Sequence, residues 1–276
     1  MNYPVRGGSL ALKIQGNQGI RRAVTAVHRN QRDLSKSTAV LSSGLRIHET
    51  AVDGAGSAVA LKMSAKTQAL QQSIRNAIHG RELIHKESGR VDTVVELVHN
   101  MREVATASAS DTMSVAGRAS AQKQFLGYYQ EMVRIGPNGH AGTDTTSIQI
   151  GDKNNADNRI SIETMNLHPT YLGLGTTNIG SSANAQTALE QLDGALDTLN
   201  NYRAQFGATE SRLEHVENHL QNYVANMKGA RSKVLDADYA RETAQLTKRQ
   251  MAQQTSLAIL GQAKQLGASA LELVDR

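Results

Sequence analysis

No proline stands between residues 5 and 136, or between residues 170 and 276; the three in the chain are Pro4, Pro137 and Pro169. Proline removes a backbone donor and clashes with the preceding helical turn. Both tracts are therefore free to form long continuous helices. The apolar mass is Leu, Val, Ile, Met and Ala, with two Phe, seven Tyr and no Trp among 276 residues. Cores of globular enzymes lean on aromatic bulk, whereas this aliphatic palette suits seams between helices. There is no cysteine, which excludes disulfides, thiolate metal sites and cysteine nucleophiles.

Counted against a heptad template, the chain shows four helical segments. The first runs from about Ile20 to Leu45, with Ile20, Val24, Val27, Gln31, Leu34, Thr38, Leu41 and Leu45 in register. The second runs from about Ala55 to Ala109 on Leu70, Ile74, Ala77, Ile84, Val91, Val95 and Val98. Val94, Leu97, Met101 and Val104 widen its apolar face at the far end, so that end meets more than one neighbour. The third, about Ala185 to Val234, has the most regular pattern: Leu189, Leu192, Leu196, Leu199, Phe206, Leu213, Leu220, Val224, Met227 and Val234 are apolar, and Arg203, Glu210, Glu217 and Arg231 interrupt. The fourth spans about Glu242 to Val274, with Leu246, Leu257, Leu260, Leu271 and Val274 sharing a seam with Gln250, Gln253 and Lys264. A shorter helix is expected over about Val115 to Arg134.

Between Ile135 and Ala183 the composition turns to Gly, Asn, Thr, Ser and Asp. "SIQIG" and "RISIE" alternate with period two around the turn-rich "DKNNADN", which predicts a β-hairpin. At ~1.5 Å per residue the two inner helices are roughly 75–80 Å long and the outer two roughly 40–50 Å. The fold class expected is mainly α: a long antiparallel helical bundle or coiled coil formed by the N- and C-terminal halves, with a small β-hairpin near the middle. Long pairs with long and short with short. The short terminal pair buries little surface per residue and is expected to need copies of itself or another partner.

Residues 1–36 carry seven Lys/Arg against Asp33 alone, while the whole chain is +5. A basic arm of this kind fits nucleic acid, an anionic surface, a targeting peptide or a solvated helix face. No apolar run reaches the length of a secretory leader or of a membrane span; export, if it occurs, is expected without a cleaved leader. "HVENH", His215 to His219, sets two histidines one turn apart, but the register puts both off the seam, and the order is not that of a zincin. His48-Glu49 has Val52 where a second histidine is required. Gly-rich pieces lack the Gly-Lys-Ser/Thr of a phosphate loop. Nothing in the spacing makes a case for an enzyme, a cofactor or a bound metal.

The stretch "LSSGLRIHETAVDGAGSAVA", residues 41–60, resembles the flagellin signature L-S-S-G-x-R-I-N-x-A-x-D-D-A-A-G-x-A-I-A. "ARSKVLDADYARETAQLTKRQMAQQ", from Ala230, is similar to the flagellin C-terminal motif, and "IQGN", Ile14 to Asn17, to the family's usual start. The chain departs from the family at His48-Glu49-Thr50, at Met251-Ala252 and at Gly267-Ala268, and has about nine extra residues before its start. Only about 45 residues join the two helical halves, so the resemblance implies a short form without the large variable outer domains. Residues 1–13 form an N-terminal extension. Residues 14–55 with 235–276 are then the terminal helices and spoke, disordered until assembly, and 56–234 the outer-tube domain, its β-hairpin and loop region at about 136–183.

The resemblance implies a structural subunit that polymerises into an extracellular filament for swimming, exported unfolded through the flagellar type III apparatus. Its implied partners are itself, hook-associated junction and cap proteins, and an export chaperone. A hook–filament junction protein and a basic helical nucleic-acid-binding protein are the alternatives. The residues expected to pack the filament core are Ile20, Val24, Val27, Leu34, Leu41, Leu246, Leu257, Leu260, Leu271 and Val274. The spoke is expected at Gly44, Arg46, His48, Glu49, Asp53, Asp236 and Asp238, with Gly44 in a left-handed cap and Asp53 capping the following helix. Many flagellins bind Toll-like receptor 5 through Q-R-x-R-E-L; here Asn100, Arg102, Glu103 and Val104 stand at the matching positions, with Gln124 in place of a supporting Glu. The lost arginine implies weak or absent recognition.

Overall fold

The computed structural model describes residues 9–136 and 144–274. Helix α1 (Ser9–Ser43) is followed by α2 (Gly54–Ala109) and α3 (Val115–Ile135). Strands β1 (Asp144–Gln149) and β2 (Arg159–Thr164) come next, then α4 (Ser182–Leu235) and α5 (Tyr239–Val274). Helices α2 to α5 start at the expected residue or up to three residues earlier. α1 begins eleven positions before the expected Ile20. By packing, the chain divides into two compact units, residues 1–64 with 228–276, and residues 65–227.

In the unit 65–227 the apolar seam of α4 closes on that of α2. Leu192, Leu199, Phe206, Leu213, Leu220 and Val224 on α4 are buried, as are Leu70, Ala77, Ile84, Val91 and Val98 on α2. The polar interruptions of the α4 seam find partners at matching depth. Arg203 lies 3.1 Å from Asp92, Glu210 3.2 Å from His85 Nε2, and Glu217 3.1 Å from Arg81. The first two pairs are one heptad apart on both helices, as an antiparallel register requires. Each exposed pair is worth only ~0–1 kcal/mol, so their effect is on register more than on stability.

The widened end of α2 is explained by two neighbours. Val94, Met101 and Ala105 are fully buried together with Phe125 and Met132 of α3 and with Leu167, Leu174 and Ile179 of the segment before α4. Polar groups hold that segment in place. Ser108 Oγ donates to the Ile179 carbonyl (2.6 Å), and the Ile179 amide donates to Gln122 Oε1 (2.7 Å). Arg118 donates to the carbonyls of Ser108, Ser110 and Met113, closing the end of α2. Ser114 caps α3 by accepting from the Gly117 amide.

The hairpin is antiparallel, with Ile148 opposite Ile160 and Thr146 opposite Ile162. β1 starts before the predicted "SIQIG" and ends at Gln149, so Ile150 falls in the turn. Ile160 and Ile162 face inward while Ser161 and Glu163 are exposed. The hairpin lies so close to α2 that a Cβ at Gly80 would stand 3.3 Å from Ile148 and 3.4 Å from Ile162. Lys66 anchors its tip, 3.5 Å from Asp152 and over the Tyr223 ring. A hydrogen bond to Tyr223, aided by Asp152, holds the Lys66 ammonium above the usual lysine range against a smaller opposing effect of burial. Its charge is therefore retained at every pH below that range.

In the other unit α1 pairs with α5. This seam differs from the expected one by a residue on each helix. Ser37, fully buried, takes the position expected of Thr38, which is exposed. On α5 the half-buried line is Glu242, Leu246, Arg249, Gln253, Ser256 and Leu260, so Gln250 and Lys264 face solvent. Leu257, expected in the seam, is 50% exposed.

Candidate functional site

The apolar seam between α1 and α5 is incomplete. Among the described residues, no apolar side chain of α1 or α5 is fully buried. Ile20, Val24, Val27, Leu34, Leu41, Leu246 and Leu260 are half-buried. The side chains of Leu271 and Val274 lie outside the described residues. The apolar residues that α5 keeps out of the seam, Met251, Leu257 and Ile259, are 57%, 50% and 53% exposed.

What holds the pair together is polar. Ser37 Oγ donates to Glu242 Oε1 (2.6 Å) and accepts from Arg249, which also donates to the Asp33 carbonyl (2.9 Å) and lies 3.6 Å from Glu242. One turn along, Gln253 Nε2 donates to Gln31 Oε1 (2.6 Å), and Asn30 donates to Ser256 Oγ (2.7 Å). Gln253 Oε1 is buried without a partner among the described residues. A net hydrogen bond contributes about 0.5–1.5 kcal/mol, while ordering a residue costs roughly 1–2 kcal/mol. The seam fixes register far better than it offsets that cost.

The connectors beside this pair are built from caps. Gly44 has φ of +70° and its amide donates to the Val40 carbonyl (2.8 Å), ending α1. A side chain here would meet the left-handed penalty of about 1–2 kcal/mol and would crowd the Tyr239 hydroxyl, which donates to the Leu41 carbonyl. Asp53 accepts from the Gly56 amide (2.8 Å) and starts α2. Asp238 does the same for α5, accepting from the amides of Ala240 and Arg241.

The two connectors run side by side. Leu45 bridges Asp236, the Ala237 amide donates to the Gly44 carbonyl (2.9 Å), and the Arg46 amide donates to Leu235 (2.7 Å). The Arg46 guanidinium donates to the Val234 carbonyl (2.7 Å). Asp236 accepts from Ser232 Oγ. Ile47 is buried, His48 keeps an unpartnered Nδ1 inside, and Glu49 is exposed.

The receptor-motif positions belong to the unit 65–227. Arg102 Nε donates to Asp193 (2.7 Å), Glu103 and Gln124 are exposed, and Asn100 and Val104 are half-buried. Sequence reasoning missed Ser37, Glu242 and Arg249, because a template scored on apolar residues passes over a polar seam. His215 and His219 are exposed; His219 stacks on Tyr223. No group of three metal-ligating side chains occurs among the described residues, and no described helix is long and apolar enough to cross a membrane.

Comparison with known proteins places the chain in a family. Residues 14–138 match the bacterial flagellin N-terminal helical region, and residues 189–274 match the bacterial flagellin C-terminal helical region. The chain is similar to a flagellin of Halalkalibacterium halodurans, 30% identical over 96% of this chain and 97% of that one. It is also similar to the flagellar filament core protein flaB2 of Brachyspira hyodysenteriae, 29% identical over 88% and 93%. Among solved structures, a flagellar hook-associated protein from Vibrio parahaemolyticus superposes with a TM-score of 0.56 at 10% identity, over 67% of this chain and all of that one, a likeness of fold alone.

Proposed function

The chain belongs to the bacterial flagellin family and is a structural subunit of the flagellar filament; on that premise we propose that its terminal helices, residues 14–55 and 235–276, order fully only when copies assemble. The observation that carries this is the α1–α5 seam, which holds no fully buried apolar side chain among the described residues. Completing the burial of Met251, Leu257 and Ile259 contributes roughly 1 kcal/mol each. A gain of that size along every free face, repeated copy by copy, is what meets the ordering cost in coupled folding and binding. Ile20, Val24, Val27, Leu34, Leu41, Leu246, Leu257, Leu260, Leu271 and Val274 are the packing residues of that assembled core. Gly44, Arg46, His48, Glu49, Asp53, Asp236 and Asp238 form the spoke. Export in the unfolded state through the flagellar type III apparatus, with a chaperone covering the terminal segments, and contacts with junction and cap proteins at the filament ends belong to the same reading.

Electron microscopy of concentrated subunit seeded with filament fragments tests it directly. Long regular filaments are expected, together with a helical circular dichroism signal in dilute subunit well short of the fully helical termini. Persistent monomers under seeding, or full helicity before assembly, would overturn it.

Recognition by Toll-like receptor 5 is proposed to be weak. Asn100 cannot supply the fork of an arginine, and Arg102 already holds Asp193. In a receptor reporter assay this subunit should be far less potent than an enterobacterial flagellin; equal potency would refute the proposal.

A further inference from the structure

One face of α1 carries only positive charge. Arg21, Arg22, Arg29, Arg32 and Lys36 are all exposed, and the side chains of these five have no ion pair or hydrogen bond among the described residues. At 3.6 residues per turn they fall within an arc of about 100° that runs about 23 Å along the helix. The half-buried seam residues Val27, Leu34 and Leu41 occupy the opposite side. Asp33, the one acid of α1, is half-buried; it falls about 20° outside that arc and makes no ion pair with these five among the described residues. Several arginines elsewhere are paired across helices, as in Arg81–Glu217, Arg102–Asp193 and Arg203–Asp92.

Like charges at i, i+3 and i+7, here Arg29, Arg32 and Lys36, weaken the helix that bears them. In a polymer every copy adds another such stripe, so assembly multiplies the repulsion. We propose that the stripe is a binding surface for small multivalent phosphate anions, pyrophosphate or short polyphosphate, and that their binding is linked to the ordering of α1 and to filament growth. The proposal rests on the filament reading above.

Four of the five cations are arginines, whose planar forks match tetrahedral oxyanions bidentately. α1 contains no Phe, Tyr or Trp, so bases of a nucleic acid would find no stacking platform. Over the length of the stripe the apolar residues Ala23, Val24, Ala26, Val27 and Leu34 all fall outside its arc, so between Arg21 and Lys36 it has no apolar side chain with which to enter a lipid surface. By linkage, an anion that binds the ordered helix better than the disordered one favours order in proportion to its occupancy.

The test is a titration of dilute subunit with pyrophosphate at constant ionic strength, followed by circular dichroism, with seeded growth measured in parallel. Concentrations stay at ~10 mM or below, because kosmotropic anions at high concentration strengthen burial without any site. Wild type should show a saturable rise in helical signal and a several-fold lower critical concentration than in chloride. The variant Arg29→Gln/Arg32→Gln/Lys36→Gln should be more helical at the start and unresponsive in both assays. The control Lys86→Gln/Lys123→Gln/Lys153→Gln, which removes exposed cations elsewhere, should respond like wild type.

Equal behaviour of wild type in chloride and pyrophosphate overturns the proposal, as does a control variant that loses the response. An oligonucleotide or anionic vesicles raising helicity where pyrophosphate does not would also overturn it. If nothing polymerises, the filament reading fails, and the helicity titration still decides the stripe.

Discussion

Replacing Arg90 by alanine should destabilise the unit 65–227 by about 3–5 kcal/mol, the range for breaking one side of a buried ion pair. The Arg90 guanidinium lies 2.6 Å from Glu87, whose side chain is 4% exposed, and donates to the carbonyls of Ile135 (2.7 Å) and Gly136 (3.3 Å). It thus satisfies a buried carboxylate and the end of α3 at once. The backbone there is crowded: a Cβ on Gly136 would stand 2.7 Å from His168 Cα, so a loosened end of α3 disturbs the segment carrying Leu167, Leu172 and Leu174 as well. Urea unfolding of the subunit followed by circular dichroism gives the magnitude. Arg90→Met combined with Glu87→Met should cost less than Arg90→Ala, because no buried carboxylate then loses its guanidinium. A loss below about 1 kcal/mol in the single variant would show the pair to behave like an exposed one.

That site also marks a limit of what the sequence could show. The heptads of α2 and α4 were legible because apolar burial repeats with the helix, so Leu192, Leu199, Phe206 and Leu213 fall inside together. Gly44 and Asp53 were legible because caps use few residue types at fixed offsets. Met165, Leu167, Leu172, Leu174 and Ile179 are buried too, but on irregular backbone, where no period betrays them and the surrounding Gly, Asn and Thr read as surface. Arg90 caps carbonyls distant in sequence, a role without a local signature. Single seam positions of α1 and α5, such as Thr38 and Leu257, were misread for a physical reason, while Ile20, Val24, Val27, Leu34, Leu41, Leu246 and Leu260 are half-buried. Apolar side chains there are divided between the seam and the outer face, so Leu257 drew the template while Ser256 holds the seam beside Asn30.

The second large effect should come from making that seam apolar. The variant Ser37→Ala/Glu242→Leu/Arg249→Leu removes the buried hydroxyl, the carboxylate and the guanidinium together. Replacing such a network by apolar side chains of similar volume is often neutral or stabilising by about 1–4 kcal/mol, and each added leucine side chain, once buried, contributes roughly 1.5–3 kcal/mol. Dilute subunit should therefore gain helical signal, and its termini should resist proteolysis before any filament forms. Arg249→Ala alone should act in the opposite direction. It leaves Ser37 and Glu242 without their cation and removes a side-chain donor from the Asp33 carbonyl. Hydrogen bonds to a charged group are worth about 1.5–3 kcal/mol, so the critical concentration should rise about tenfold or more. The two variants thus separate stability of the pair from its register: one strengthens the pair and removes part of its registry marks, leaving Gln31–Gln253 and Asn30–Ser256, and the other weakens both. If the triple variant leaves dilute helicity unchanged while Arg249→Ala grows filaments like wild type, the polar seam does not hold the termini short of order. The burden would then lie with the exposed face of Met251, Leu257 and Ile259 alone.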